Sequence, residues 1–216
     1  MSKLIVTIDG ASGTGKEKIA KYIAKKYNLF HLDSGILYRR LASIILKKNI
    51  NFNKEKDIKK ILNSIIDLSS RKNKVLRSEK IGKKASIIAT KKIVRNFIDK
   101  QQHLIVRKIS SSYKGCVIDG RDIGSKVFKN AQIKLFIVVN VQIRAKRRHK
   151  QLIEQDEKSI HSRILKDLKL RDKKDLNRKI SPLIKPRSAI LIDNSKSFNF
   201  TCKQINQVFT NNFKKL

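Results

Sequence analysis

Gly10, Gly13, Gly15 and Lys16 follow the apolar run LIVTID in the order GASGTGK. Glycine suits a turn whose backbone must curl and where a Cβ would bar an approaching anion. The free N–H groups of such a turn, backed by a helix N-terminus, point at phosphate oxygens. Lys16 adds a mobile cation, so Gly10, Ala11, Ser12, Gly13, Thr14, Gly15 and Lys16 read as a phosphate cradle. The spacing satisfies GxxxxGK, yet the hydroxyl that should follow, to hold Mg²⁺, is replaced by Glu17 and then Lys18. Other polar groups have spacings suited to the same chemistry. Asp33, Ser34, Tyr38 and Arg39 follow one apolar run, and Gly120, Arg121 and Asp122 follow another. Asp119 ends the run VID, where a carboxylate can hold the water shell of Mg²⁺ near nucleotide phosphates. Arg171, Asp175 and Arg178 share a helix face, as do Arg144 and Arg148. Surface ion pairing explains any one of these spacings; together they supply the converging positive charge that phosphoryl transfer needs.

Such residues must be set by a scaffold, and the hydrophobic pattern supplies one. Short apolar runs at 4–9, 30–33, 116–119, 134–139 and 189–193 predict strands. Ile19, Ala20, Ile23, Ala24 and Tyr27 make the apolar stripe of a helix just after Lys16. Further helices are predicted over 35–48, 58–66, 79–91, 94–110, 141–154, 160–175 and 199–213. Strands alternating with helices imply an α/β fold with a parallel sheet of about five strands flanked by helices. Ligands then sit beyond the carboxyl ends of the strands, where Gly10, Ser34 and Arg121 fall. Two polar stretches, 67–78 and 155–159, interrupt the rhythm and are expected to be flaps that close over substrates and exclude water.

The chain of 216 residues suits one such domain, with no repeat or long linker. Its formal charge of +35 invites a nucleic-acid reading. The charge is spread along the chain, however, with 38 lysines to 14 arginines and only 6% aromatics, which argues against a dedicated nucleic-acid surface. It would still draw anionic nucleotides toward a cleft. Cys116 and Cys202 lack metal-ligand spacing and are expected to be reduced core residues, consistent with a cytoplasmic protein. No charged leader precedes the first strand, and no apolar run approaches membrane-spanning length, so neither secretion nor membrane insertion is expected.

The runs IDGASGTGK, LDSGILYRR, ASIIATKKIVR, VIDGRDIGSKVF, RAKRRHKQL and LRDKKDLNR, in that order, resemble bacterial-type cytidylate kinase over almost the whole chain. DSGxxYR, DGRDxG and RDxxDxxR carry the resemblance more specifically than the glycine loop. It implies a P-loop NTPase-like nucleoside monophosphate kinase of one domain, 1–216, with an NMP-binding insertion at 49–92 and a lid at 149–160. The implied reaction moves the γ-phosphoryl of ATP onto CMP or dCMP, with Mg²⁺, in a monomer. The resemblance assigns ATP to Gly10 through Lys16, with Glu17, Lys18 and Arg144 beside them. It assigns CMP to Ser34, Arg39, Ser86, Arg95, Arg121, Asp122, Arg171 and Asp175. Among these, Ser86, Arg95 and Asp122 read cytosine, Arg39 and Arg121 clamp the acceptor phosphate, and Arg171 and Asp175 lie near the sugar. Lys16, Arg121, Arg148 and Arg178 are the implied catalytic residues, and Asp119 the metal-side carboxylate. An Asp accepting from the cytosine amino group would be left unpaired by uracil's carbonyl, a penalty of about 1–3 kcal/mol.

Some residues depart from the family pattern. Glu17 and Lys18 leave no hydroxyl for the metal, which predicts weakened Mg²⁺ binding. The flap between Ser34 and Arg77 is short, and the lid lacks its usual glycine. His103 is expected at the surface, and His31, His149 and His161 receive no role. Two alternatives stay open: a kinase of this fold for another small acceptor such as UMP or shikimate, and a basic phosphate-loop protein that binds nucleotide or RNA without turnover.

Overall fold

The structure, a computed structural model, describes residues 3–68 and 74–213. In chain order its strands and α-helices are β1 (Leu4–Gly10), α1 (Lys16–Tyr27), β2 (Leu29–Asp33), α2 (Ser34–Lys47), α3 (Glu55–Asn63), α4 (Glu79–Ile88), α5 (Lys92–Arg107), β3 (Gly115–Gly120), β4 (Ile133–Val138), α6 (Val141–Ile153), α7 (His161–Asn177), β5 (Ile190–Asp193) and α8 (Phe198–Phe213). They divide into two compact units, Met1–Leu32 with Tyr113–Leu216, and Asp33–Ser112.

The first unit is built on a five-stranded sheet in the order β2-β3-β1-β4-β5. β1 runs parallel to β3 and β4, and β4 to β5. This matches the expected parallel α/β sheet, and each strand begins or ends within a residue or so of its predicted bounds. Register sets Asp9 beside Gly120 and Gly10 beside Ile137, so the phosphate loop and the segment after β3 leave one sheet edge together. Val6 and Ile8 of β1 are fully buried against Ile19, Ala20 and Ile23 of α1 and Ile205 and Phe209 of α8. At about 25 cal/mol per Å² of apolar surface removed from water, this cluster anchors the strand that carries the loop. Tyr27, at the end of the α1 stripe, stacks on Phe209 with ring centroids 3.9 Å apart. Asn28, in the left-handed conformation at φ 52°, stops the helix there.

The second unit is helical. α3 starts and stops three residues earlier than its apolar pattern suggests, because Glu55 and Asp57 fill a first turn that favours acidic side chains. α4 ends at Ile88 rather than running to residue 91; the Thr90 hydroxyl donates to the Ile87 carbonyl at 2.7 Å, and α5 begins afresh at Lys92. Of the flap expected at 67–78, residues 69–73 lie outside the described residues, and Lys74–Arg77 form a 3-10 turn. The lid expected at 149–160 takes in the last residues of α6 as well as the connection to α7.

Cys116 is buried, and its thiol is pushed up to about 12 by that burial. Cys202, expected in the core, is only half-buried on α8. His103 is exposed, as expected. Among the described residues no helix is long and apolar enough to cross a membrane.

Candidate active site

The phosphate loop leaves β1 at Gly10 and enters α1 at Lys16. Gly15 sits at φ 84°, and a Cβ there would lie 2.5 Å from Nδ2 of Asn194, so only glycine meets both demands. The loop is tied down from two sides. Asn194, buried just past β5, donates from Nδ2 to the Thr14 carbonyl at 2.8 Å and accepts from the Thr201 hydroxyl at 2.8 Å. Arg144 of α6, also buried, donates to the Ser12 carbonyl at 2.8 Å and the Val139 carbonyl at 3.1 Å. It grips both carboxylate oxygens of Asp172, on α7, at 3.1 and 2.6 Å. The guanidinium that the sequence points to as an ATP ligand thus holds the loop's backbone. Arg148, one turn further along α6, is exposed and donates to Gln151 Oε1 at 2.9 Å. A cavity of about 200 Å³ opens beside the loop, lined by Ala11, Thr14, the end of β4, Asp172, Leu176 and Leu183.

Lys16 folds back over the loop, its Nζ donating to the Ala11 carbonyl at 2.6 Å and to Thr14 Oγ1 at 3.2 Å. Burial holds its ammonium well below the ordinary lysine range, and the nearby Arg121 guanidinium lowers it further. Asp9, two-thirds of the way from Lys3 to Ser12 and immediately before Gly10, is buried and pushed up to about 6 by desolvation. Its oxygens accept from the backbone N–H groups of Ile123 and Gly124, each at 2.8 Å. These amides open an unforeseen π-turn, Ile123–Val127.

Just before that turn, Arg121 and Asp122 meet the end of α7. Arg121 Nε donates to Asp175 Oδ2 at 2.9 Å. Arg178 Nη1 lies 3.4 Å from Asp175 Oδ1, and its Nη2 lies 3.7 Å from Asp122 Oδ1. Arg178 Nε also bonds the Ser181 carbonyl. Arg171, half-buried, precedes Asp175 by one helical turn. Two guanidinium groups and two carboxylates therefore share one corner, near enough that Arg121 and Asp175 both act electrostatically on Lys16.

Of the residues first linked to metal, Asp119 acts electrostatically on Lys16, while Glu17 and Lys18 have partners of their own. Glu17 Oε1 pairs with Lys21 at 2.6 Å, and Lys18 Nζ sits 4.1 Å above the Phe198 ring. Asp119 Oδ1 contacts His31 Nε2 at 2.7 Å, a partner that sequence reasoning missed because β2 and β3 become neighbours only in the sheet. Among the described residues no three His, Cys, Asp or Glu side chains form a metal-binding group. These side chains build no all-protein cage for Mg²⁺; Asp119, within electrostatic reach of Lys16, is the carboxylate that could meet the water shell of an ion held by nucleotide phosphates.

In the helical unit, Ser34 is buried at the start of α2, which Asp33 caps by accepting from the Ile36 N–H at 3.1 Å. Arg77 Nη2 lies 3.5 Å from Asp33 Oδ2. Arg39 donates to the carbonyls of Leu76 at 2.8 Å and Ser78 at 3.4 Å. Arg95 is 1% exposed, donates from Nε to the Ala89 carbonyl at 2.7 Å, and places its guanidinium 5.8 Å from the Tyr38 ring centroid. Ser86 is exposed on α4.

Comparison with known proteins gives the family. The cytidylate kinase family profile matches residues 6–214. The chain is 40% identical to a cytidylate kinase of Fusobacterium nucleatum, over 96% of this chain and all of that protein. It is 34% identical to a cytidylate kinase of Bartonella tribocorum, over 96% of this chain and 97% of that one. At 39% identity, 98% of the chain matches 44% of a bifunctional pantoate ligase/cytidylate kinase of Prochlorococcus marinus. In fold it is similar to a solved structure of an uncharacterized protein from Eubacterium ventriosum, with a TM-score of 0.51 at 17% identity, over 97% of this chain and 99% of the other. With its glycine loop, its paired arginines and aspartates at the sheet edge, and a family match that spans nearly every described residue, the chain belongs to the cytidylate kinase family.

Proposed function

We propose that this protein transfers the γ-phosphoryl group of ATP to CMP and dCMP, releasing ADP with CDP or dCDP. The corner where Arg121, Asp122, Asp175 and Arg178 meet, within electrostatic reach of Lys16, carries the reading. Within it a phosphate can exchange for the carboxylates that now occupy the guanidinium groups.

Gly10 to Lys16 bind the ATP phosphates, and an arriving anion compensates the Lys16 ammonium that burial disfavours. Arg121 and Arg39 hold the acceptor phosphate, one of whose oxygens attacks the γ-phosphorus in line as the bond to the β-phosphate oxygen breaks. Arg178 and Arg148 meet the charge spread over the migrating group. Asp175, released from Arg121, accepts from the ribose with Arg171 beside it. Ser34 helps to line the acceptor site. Ser86, Arg95 and Asp122 select cytosine. Asp119 would hold part of the water shell of a bound Mg²⁺, which would supply charge screening for the ATP phosphates. On this reading residues 49–92 are the NMP-binding insertion, 149–160 the lid, and the enzyme works as a cytoplasmic monomer.

ADP release from ATP and Mg²⁺ tests the proposal, measured with CMP, dCMP, UMP and AMP as acceptors. Acceptor-dependent release is expected with CMP and dCMP, and weaker release with UMP. Release that no acceptor stimulates would overturn it.

A further inference from the structure

None of the steps above uses Asp9, although it is one of the most completely buried ionisable groups among the described residues, at 1% exposure. An apolar residue would fill the same space without the cost of hiding a carboxylate. Its partners suggest why a carboxylate stands there. Each oxygen accepts one backbone N–H, from Ile123 and from Gly124, at 2.8 Å. Those two amides follow directly on Arg121 and Asp122, and Asp9 directly precedes Gly10, the first residue of the phosphate loop.

The opposite side of the contact is shaped to allow it. A Cβ on Gly124 would lie 2.6 Å from Thr7 Oγ1 and 3.3 Å from Asp9 Oδ2, so the backbone comes this close to β1 only with glycine there. The buried Thr7 hydroxyl beside it has no hydrogen-bond partner among the described residues, so the attachment runs through Asp9. The charged groups acting on Asp9 are Asp122 and Lys16, one from each loop that it joins.

We infer that Asp9 is a positioning residue whose two oxygens fix the Arg121–Asp122 segment to the phosphate loop, holding the acceptor phosphate in line with the γ-phosphorus of ATP. This rests on the kinase reading above. Proximity gained by such alignment is sensitive, since a displacement of about 1 Å costs on the order of a hundredfold in rate.

The test compares wild type with Asp9→Asn, which keeps one acceptor and turns an NH2 toward the second amide, and with Thr7→Val as a neighbouring control. Initial rates with CMP and ATP, ATP affinity without acceptor, and amide hydrogen exchange at Ile123 and Gly124 are measured. Asp9→Asn is expected to lower kcat/KM for CMP by about a hundredfold. It should speed exchange at Ile123 and Gly124 while leaving ATP affinity within about twofold, and Thr7→Val should leave CMP kinetics near wild type. Unchanged CMP kinetics in Asp9→Asn would overturn the inference, as would equal losses of ATP and CMP binding. If Asp9→Asn unfolds, Asp9→Glu, which keeps the charge and moves the oxygens by one methylene, must show the same CMP-selective loss. Wild-type turnover of CMP tests the kinase reading itself, so its failure is distinguishable from failure of the variant comparison.

Discussion

Removing the Asp172 carboxylate should both destabilise the protein and loosen its phosphate loop. Arg144, 5% exposed, directs donors to two carbonyls and both Asp172 oxygens, at 2.6 and 3.1 Å. In Asp172→Ala the guanidinium keeps the Val139 and Ser12 carbonyls but loses its only anion in that set. Breaking a buried ion pair from one side costs about 3–5 kcal/mol, because a buried charge is left uncompensated. The Asp172 side chain is 19% exposed, so water reaches the vacated space and the lower end, about 3 kcal/mol, is expected. For a chain of this size that corresponds to a fall of about 6–12 °C in Tm. The chain has no tryptophan, so unfolding is best followed by far-UV circular dichroism in urea, with Asp172→Ala, Arg144→Met and the double variant in parallel. The double variant should recover about 2 kcal/mol relative to the sum of the single losses, since neither charge is then stranded. ATP KM should rise most in Arg144→Met, which frees the Ser12 carbonyl, and less in Asp172→Ala, where the guanidinium keeps that bond but loses the carboxylate that orients it. A loss below about 1 kcal/mol in Asp172→Ala, or strict additivity, would refute the reasoning.

Asn194→Ala strands the Thr14 carbonyl and leaves the Thr201 hydroxyl only its longer 3.4 Å bond to the Ser197 carbonyl, so a loss of about 2 kcal/mol and a raised ATP KM with unchanged CMP KM are expected in unfolding and rate assays. Asp9, raised from its ordinary 3.8 to about 6, makes the folded state hold a proton that the unfolded chain releases. Its cost is therefore absent below pH 4 and grows as pH rises to 6. The stability of Asp9→Asn relative to wild type should increase across that window by about 3 kcal/mol, measured by urea unfolding at several pH values; a pH-independent difference would contradict the shift. Replacing Glu17 and Lys18 by Ser and Thr should lower the Mg²⁺ concentration for half-maximal rate, and losing the partly exposed Glu17–Lys21 pair should cost no more than about 0.5 kcal/mol. An unchanged Mg²⁺ requirement would show that the missing hydroxyl is unimportant.

Much of the fold is legible in the chain because the signals are local. Ile19, Ala20 and Ile23 repeat at helical spacing and are all buried, and VID in β3 is both an apolar run and a strand. Glycine at 13 and 15 announces the left-handed turn that the backbone makes there. Where local cues conflict, the boundaries slip: α3 begins on charged residues because helix ends favour acids before the apolar stripe starts.

What the amino-acid sequence alone determines here is the parallel α/β scaffold, the phosphate loop and the family motifs, each written in residues close together along the chain. Tertiary structure decides their partners. Asp9 reaches across 114 residues to Ile123, Asn194 across 180 to Thr14, and His31 across 88 to Asp119. The same assembly gives Arg144, expected from the sequence beside ATP, the further task of bracing Ser12 against Asp172. Periodicity along a chain reports which face of an element is apolar. Which distant carboxylate or carbonyl a buried polar group meets is set by the strand order β2-β3-β1-β4-β5, and burial makes each of those meetings obligatory.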